Sequence, residues 1–355
     1  MSTTRFMAKN GLEGFMAFLF RCADVVYAPS ERPASSKPSV VFAPWQKGDS
    51  VTLAKATVSP KKTVFPECET LFDFRNEREE PAEPKISLEP HIEAESAIVF
   101  GGRACDAAGF TALDRPYMQG LFKDPYYKAR REQLTVITQT CNTGCQTCFC
   151  HWVGIGPTSP EGSDILMTEV EGGWILQAIT EKGRSLLEMS ELEDGADKFG
   201  EAIETRKKAW ASLIPAPDIS NSPAALKKMF SDLEFWTRQT NRCISCGACT
   251  YFCPTCYCFN ITDEGEAQSQ AGGKRLRSWD NCMSSRYTRE ASGHNPRPLK
   301  SERMRNRVSH KFWTYPENWG AYLCSGCGRC ITSCPVHLDI REIVLNAIDA
   351  AKAGE

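Results

Sequence analysis

Residues 243–254 read CISCGACTYFCP and residues 324–335 read CSGCGRCITSCP. Both fit C-x2-C-x2-C-x3-C-P, a run in which cysteine thiolates can hold a [4Fe–4S] cubane. Three cysteines at two-residue intervals let a tight loop wrap the cube, each thiolate reaching a different iron. Gly247 in the first run, and Gly326 and Gly328 in the second, permit the backbone turns and bring amides close to sulfur. The proline after each fourth cysteine redirects the chain. Structural zinc would instead take ligand pairs separated by a long loop. Two full copies of the run set the expectation at two cubanes.

Where a chain carries two such runs, the fourth cysteine of each ligates the other cluster. One cluster is therefore expected on Cys243, Cys246, Cys249 and Cys334, and the other on Cys324, Cys327, Cys330 and Cys253. Seventy residues separate Cys253 from Cys324, too many for a compact β-rich ferredoxin. Their helix-compatible content predicts an α-helical ferredoxin-type domain with helices flanking the clusters. The segment RPLKSERMRNRVSHKFW (297–313) is basic. It reads as a solvated helix face, or as a group that docks an acidic partner or offsets cluster charge. An oxidised cubane with four thiolates carries roughly −2, so two add about −4 to the formal charge of −2.

Working outward, 41% apolar and 10% aromatic residues fit a folded globular protein, and a charge of −2 makes no electrostatic case for nucleic acid. Eighteen cysteines would suggest a disulfide framework only in a small secreted chain. A thiol-reduced cytoplasmic protein with metal-bound cysteines is expected instead. The N-terminal apolar stretch is interrupted by Glu13 and reads as an amphipathic helix with Leu12, Phe15, Met16 and Leu19 on one face. No run approaches a membrane span. SAIVFGG (96–102), LTVIT (134–138), and DILMT with GWILQA predict strands, the last two as a hairpin. The charged, proline-rich 75–90 reads as an exposed loop. From about 183 the pattern turns helical, and Ile340, Ile343, Val344, Ala347 and Ile348 share the face of a last helix. The predicted fold is α+β: an N-terminal α/β domain over 1–182 and an α-helical dicluster ferredoxin-type domain over 183–355. No hydrolytic or nucleophilic constellation stands out, and no G-x-G-x-x-G follows a strand.

A third cysteine group, CNTGCQTCFCH (141–151), matches no standard ferredoxin run. The two runs resemble a 4Fe–4S dicluster family, together with SPKKTVFPECETLFDF, FGGRACDAAGFTALDR, DPYYKARREQ and TCFCHWVGIGP upstream. Members include the beta subunit of cytoplasmic sulfhydrogenases and its counterpart in anaerobic sulfite reductase. The resemblance implies an electron-transfer subunit of a cytoplasmic complex in anaerobic metabolism. Its implied partners are a ferredoxin-reductase-like subunit binding FAD and NAD(P)H, and a catalytic subunit of hydrogenase, sulfite reductase or heterodisulfide-reductase-like type. It also implies a further [4Fe–4S] cluster on Cys105, Cys141, Cys148 and Cys150. This chain departs from the pattern in having Cys145 as well, and Ala104 where proline is usual. The fourth ligand stays open: Cys105 follows a strand that can neighbour the one before Cys141, whereas Cys145 favours local closure. Two other readings are an α/β domain that binds its own flavin or redox substrate, and an upstream cysteine group that binds zinc in a scaffold. Cys22, Cys68, Cys256, Cys258 and Cys282 read as packed thiols. His151 is an alternative iron ligand, as histidine is in Rieske centres.

Overall fold

The computed structural model describes residues 3–33, 39–77, 85–265 and 272–353 of the chain. Among these residues two sheets form. The larger takes β1 (Thr4–Ala8), β2 (Val25–Arg32), β3 (Ser39–Pro44), β6 (Ala97–Arg103), β7 (Leu134–Gln139), β8 (Ile165–Val170), β9 (Gly173–Ala178) and β10 (Glu193–Asp194). Its order is β10-β1-β9-β8-β7-β6-β2-β3, with β2, β6, β7 and β8 mutually parallel and antiparallel strands on both flanks. β6 is AIVFGGR, buried at every position but its last, as a strand covered on both faces must be. Alternation sends Ile98 and Phe100 to one face and Ala97 and Val99 to the other. On the first face α1 (Leu12–Cys22) buries Phe15, Met16 and Leu19. On the second, α2 (Ala104–Asp114) and α3 (Pro125–Gln133) bring Phe110, Leu113 and Tyr127. The expected amphipathic helix, strands and hairpin are all present.

The smaller sheet is ordered β11 (Phe259–Gly265), β12 (Gly272–Trp279), β4 (Cys68–Glu77), β5 (Lys85–Pro90). Two expectations change here. Segment 75–90 is not a loop throughout, because β4 and β5 pair across it from Phe72↔Pro90 to Glu77↔Lys85. Ladder hydrogen bonds hold the two ends of this segment, and residues 78–84 lie outside the described residues. The stretch between the two cysteine runs, expected to be helical, opens with the β11–β12 ribbon. Only after it do α9 (Lys300–Ser309), a wider turn over His310–Thr314, and α10 (Tyr315–Trp319) follow.

The helical region adds α4 (Glu181–Glu188), α5 (Phe199–Ala211), α6 (Ser222–Lys228), α7 (Leu233–Thr240) and α12 (Ile340–Ala353). Asp232 separates α6 from α7 by accepting a capping hydrogen bond from Phe235 N–H at 2.8 Å. Leu226, Trp236, Val308, Phe312, Val344 and Ala347 form one core with the cysteine runs against it. The fold is α+β, an N-terminal sheet region followed by a mainly helical one. β10 lies beyond 182 yet pairs with β1, and the smaller sheet joins β4 and β5 to β11 and β12.

Candidate metal centres

The two runs follow the same backbone path. Ser245 (φ 59°) and Gly247 (φ 79°) in the first stand where Gly326 (φ 60°) and Gly328 (φ 73°) stand in the second. This left-handed geometry folds each loop inward and leads into a single helical turn, α8 (Ala248–Tyr251) or α11 (Arg329–Thr332). Backbone amides then reach sulfur: Ser245 N–H donates to Cys243 at 3.4 Å, Gly326 N–H to Cys324 at 3.5 Å, and Leu338 N–H to Cys334 at 3.3 Å. One cavity is lined by Cys243, Cys246, Cys249 and Cys334, with Met283, Ile340 and other apolar side chains. A second is lined by Cys324, Cys327, Cys330 and Cys253, together with Phe149. In each, three cysteines of one run meet the fourth of the other. Cys330 lines both cavities, so the two are adjacent. Among the described residues no three His, Cys, Asp or Glu converge on a single-ion site. The thiols instead surround a cavity, as a cube with one thiolate per iron requires.

Buried cations meet this sulfur-rich region. Lys311 Nζ donates to Thr255 Oγ1 and Leu323 O, both at 2.9 Å, and lies 3.6 Å from Cys253 Sγ. Arg307 Nη1 is 3.3 Å from Cys256 Sγ, and its Nη2 donates to Cys249 O. Lys61, 3% exposed, donates to Cys256 O at 3.0 Å. Burial opposes the Lys311 charge, but the Cys253 and Cys256 sulfurs outweigh it and hold the ammonium charged. Burial pushes the Cys324 thiol up to about 12, against the pull of Lys311, and raises Cys249 and Cys330 as well. Cys253 moves down, chiefly because Cys256 hydrogen-bonds to it, with Lys311 and Arg307 adding to the effect against burial. These thiols must lose protons to bind iron, and the cations are placed to favour that.

The upstream group lies against the second run. β6 and β7 are parallel neighbours with Arg103↔Gln139 in register, so Cys105 and Cys141 follow adjacent strand ends. Phe149 N–H donates to Gly326 O at 2.8 Å, and Thr147 Oγ1 meets Thr332 Oγ1 at 2.9 Å. Lys55 is shared by the group: its Nζ is 3.2 Å from Cys148 Sγ and donates to Cys327 O, and its charge acts on Cys105 and Cys150. Burial raises Cys150 to about 11, and Cys141 beside it adds to the shift. Cys105, Cys141 and Cys150 are free thiols, whereas Cys148 is joined to Cys145 by a disulfide that must be reduced before either binds metal. His151 Nε2 is occupied by Ile214 O at 2.8 Å. Cys22 and Cys68 are exposed thiols rather than packed ones.

Sequence reasoning missed Lys55, Lys61 and Arg329. Arg329, inside the second run, pairs with Asp106 at 2.6 Å with both side chains buried. Nothing in their local sequence marks them, because each acts on partners far along the chain. Arg307 and Lys311 were visible in the basic segment, but only their burial separates them from a solvated face.

Comparison with known proteins finds likenesses to iron–sulfur and oxidoreductase subunits. Residues 242–338 match the 4Fe-4S dicluster domain. Sulfhydrogenase 2 subunit beta of Pyrococcus furiosus is 29% identical over 248 residues, 68% of this chain and 71% of that one. The F420-dependent formate dehydrogenase subunit beta of Methanocaldococcus jannaschii is 26% identical over 178 residues, 49% of this chain and 38% of the relative. A counterpart from Methanococcus maripaludis, F420-dependent formate dehydrogenase 1 subunit beta, is 34% identical over 88 residues, 23% of this chain and 22% of its own. Among the described residues no helix is long and apolar enough to cross a membrane.

Proposed function

We propose that this chain, which carries a 4Fe–4S dicluster domain, is the electron-transfer subunit of a multi-subunit oxidoreductase. In this reading it relays electrons between an FAD- and NAD(P)-binding partner and a separate catalytic subunit. The observation that carries it is the adjacency of the two cysteine-lined cavities, with the Cys105–Cys150 group packed on the second. Ligands are proposed as Cys243, Cys246, Cys249 and Cys334 for one cluster, and Cys324, Cys327, Cys330 and Cys253 for the next. Cys105, Cys141, Cys148 and Cys150 are proposed for a third. When bound, such clusters accept and pass single electrons. The chain's own part is to supply thiolates, to aim amides at sulfur, and to offset the added negative charge with Arg307 and Lys311. The resemblance to sulfhydrogenase and formate dehydrogenase beta subunits supports a subunit role of this kind.

Iron, zinc and sulfide analysis of the anaerobically purified chain, with EPR of its reduced form, tests the reading. About twelve irons indicate three cubanes and about eight indicate two, while zinc in place of iron overturns the proposal. A second reading, a small redox molecule bound by the chain itself, draws on a cavity of about 760 Å³. Arg115, Trp152 and Tyr322 line it, and Cys324 stands in its wall. A yellow chromophore that survives removal of iron would favour that reading.

A further inference from the structure

The sequence reads Cys258 and Cys282 as packed thiols, but the structure brings them together at the base of the β11–β12 ribbon. The ladder ends at Phe259↔Trp279 and continues one step, with Asp280 N–H donating to Cys258 O at 3.0 Å. A turn follows in which Asn281 N–H donates to Asp280 Oδ1 at 2.6 Å and Met283 N–H to Asn281 Oδ1 at 3.0 Å. It carries Cys282 back beside Cys258, so that the two thiols act on each other's proton affinity and stand in the wall of one cavity. Tyr287 lines the same cavity, and Thr250 Oγ1 lies 3.9 Å from Cys282 Sγ. Thr250 adjoins Cys249 of the first cavity. The pair thus stands one residue from a proposed cluster ligand.

Both thiols line a cavity of about 450 Å³, a size suited to a small molecule. Its charged lining is Arg297, Arg307 and Lys311, with no carboxylate among the lining residues. Ser309 Oγ and Trp313 Nε1, also in the wall, are buried without a hydrogen-bond partner. Cations and unpaired donors suit an anionic ligand and oppose a metal cation. Neither thiol is among the residues lining the two cluster cavities, and two neighbouring sulfurs outside them suit disulfide formation.

We propose that Cys258 and Cys282 form a dithiol–disulfide couple, reduced from the adjacent cluster cavity, that reduces a small anionic disulfide. The Cys282 sulfur attacks one sulfur of the substrate disulfide and releases one thiol. Cys258 then attacks the mixed disulfide, releases the second thiol, and leaves a Cys258–Cys282 disulfide. Two electrons arriving singly from a reduced iron–sulfur centre, with two protons from solvent, restore the dithiol. The inference rests on the cluster reading only for its source of electrons.

The test uses the full-length, iron-loaded protein, poised at a series of potentials, alkylated and analysed by peptide mass. Iron is measured first, so that an iron-free chain is recognised as failure of the cluster reading and, with it, of the electron source. In iron-loaded protein the Cys258 and Cys282 peptides are expected to become alkylated together, their oxidised-to-reduced ratio changing tenfold per roughly 30 mV, and to be cross-linked when oxidised. With oxidised glutathione as probe, Cys258→Ser is expected to trap a glutathione adduct on Cys282. Alkylation at every potential without a cross-link, or only after iron is chelated, overturns the proposal and makes the pair structural thiols or metal ligands. The wild-type titration needs no variant, so a misfolded Cys258→Ser leaves it decisive.

Discussion

Lys311 brings a permanent positive charge to within 3.6 Å of Cys253 Sγ in a region where water is excluded. A positive charge beside a redox centre favours its reduced, more negative form. Lys311→Met is therefore expected to lower the potential of the centre proposed on Cys253, Cys324, Cys327 and Cys330, by on the order of 100 mV at an effective dielectric near 20. An EPR-monitored redox titration measures the shift, and an unchanged potential would show that the charge is screened. His310, immediately before Lys311 in the chain, is depressed to about 4, first by burial and then by Lys311 and Arg307. Between its ordinary value of 6.5 and about 4 the unfolded chain binds the extra proton. Stability is thus expected to fall as pH drops through that window, by about 3 kcal/mol at most. Denaturant titrations of the chain and of His310→Gln at pH 7 and pH 4.5 should show the loss in the former and a smaller one in the latter. These residues illustrate why charge in a sequence is ambiguous. RPLKSERMRNRVSHKFW displays its cations openly, but a helix has inner and outer faces. Only packing buries Arg303, Arg307 and Lys311.

Among elements, the paired loops decide most. Each run presents three thiols from one turn and sends its fourth across to the other cavity. Cys334→Ser is expected to remove or convert the cluster proposed on Cys243, Cys246 and Cys249, leaving the EPR signal of its neighbour; loss of the neighbour alone would refute the crossed assignment. Gly326 makes a different contribution. It has φ +60°, and a Cβ there would sit 2.4 Å from Cys150 N and 2.5 Å from Phe149 C. Gly326→Ala must therefore strain two backbones at once, at an expected cost of about 1–3 kcal/mol. The accompanying loss of iron should fall on the second and upstream sites, and an iron content equal to wild type would show that the 149–150 segment yields. Ser245 holds the same conformation in the first run, where the first run has serine and the second has glycine. The loops were legible in sequence because their geometry is set within a dozen residues. The β11–β12 ribbon was not, since β11 is exposed along its length, β12 shows no hydrophobic alternation, and β12 is held by pairing with β4.

At the scale of the whole molecule, the sheet region and the cysteine runs are fastened by buried polar contacts. Arg329 joins Asp106 at 2.6 Å and donates to Ala56 O at 3.0 Å, while Lys61 and Lys55 cross the same boundary. Arg329→Met leaves the Asp106 carboxylate buried and unpaired and is expected to cost about 3–5 kcal/mol. Adding Asp106→Asn should restore part of that loss, a coupling that a double-mutant cycle by denaturation would measure. Simple additivity would show that the pair does not act as a unit. The amino-acid sequence by itself determined the two ferredoxin-type loops, the buried strands and hairpin of the N-terminal region, and the amphipathic helices. Each of these depends on spacing or periodicity over a few residues, so its physics is local. Only the tertiary structure decided which distant groups meet. It set Cys105 and Cys141 on neighbouring strand ends, Cys258 against Cys282, and Lys61, Arg307 and Lys311 within reach of sulfur. Those encounters follow from how buried faces pack, and packing joins residues that sequence spacing keeps far apart.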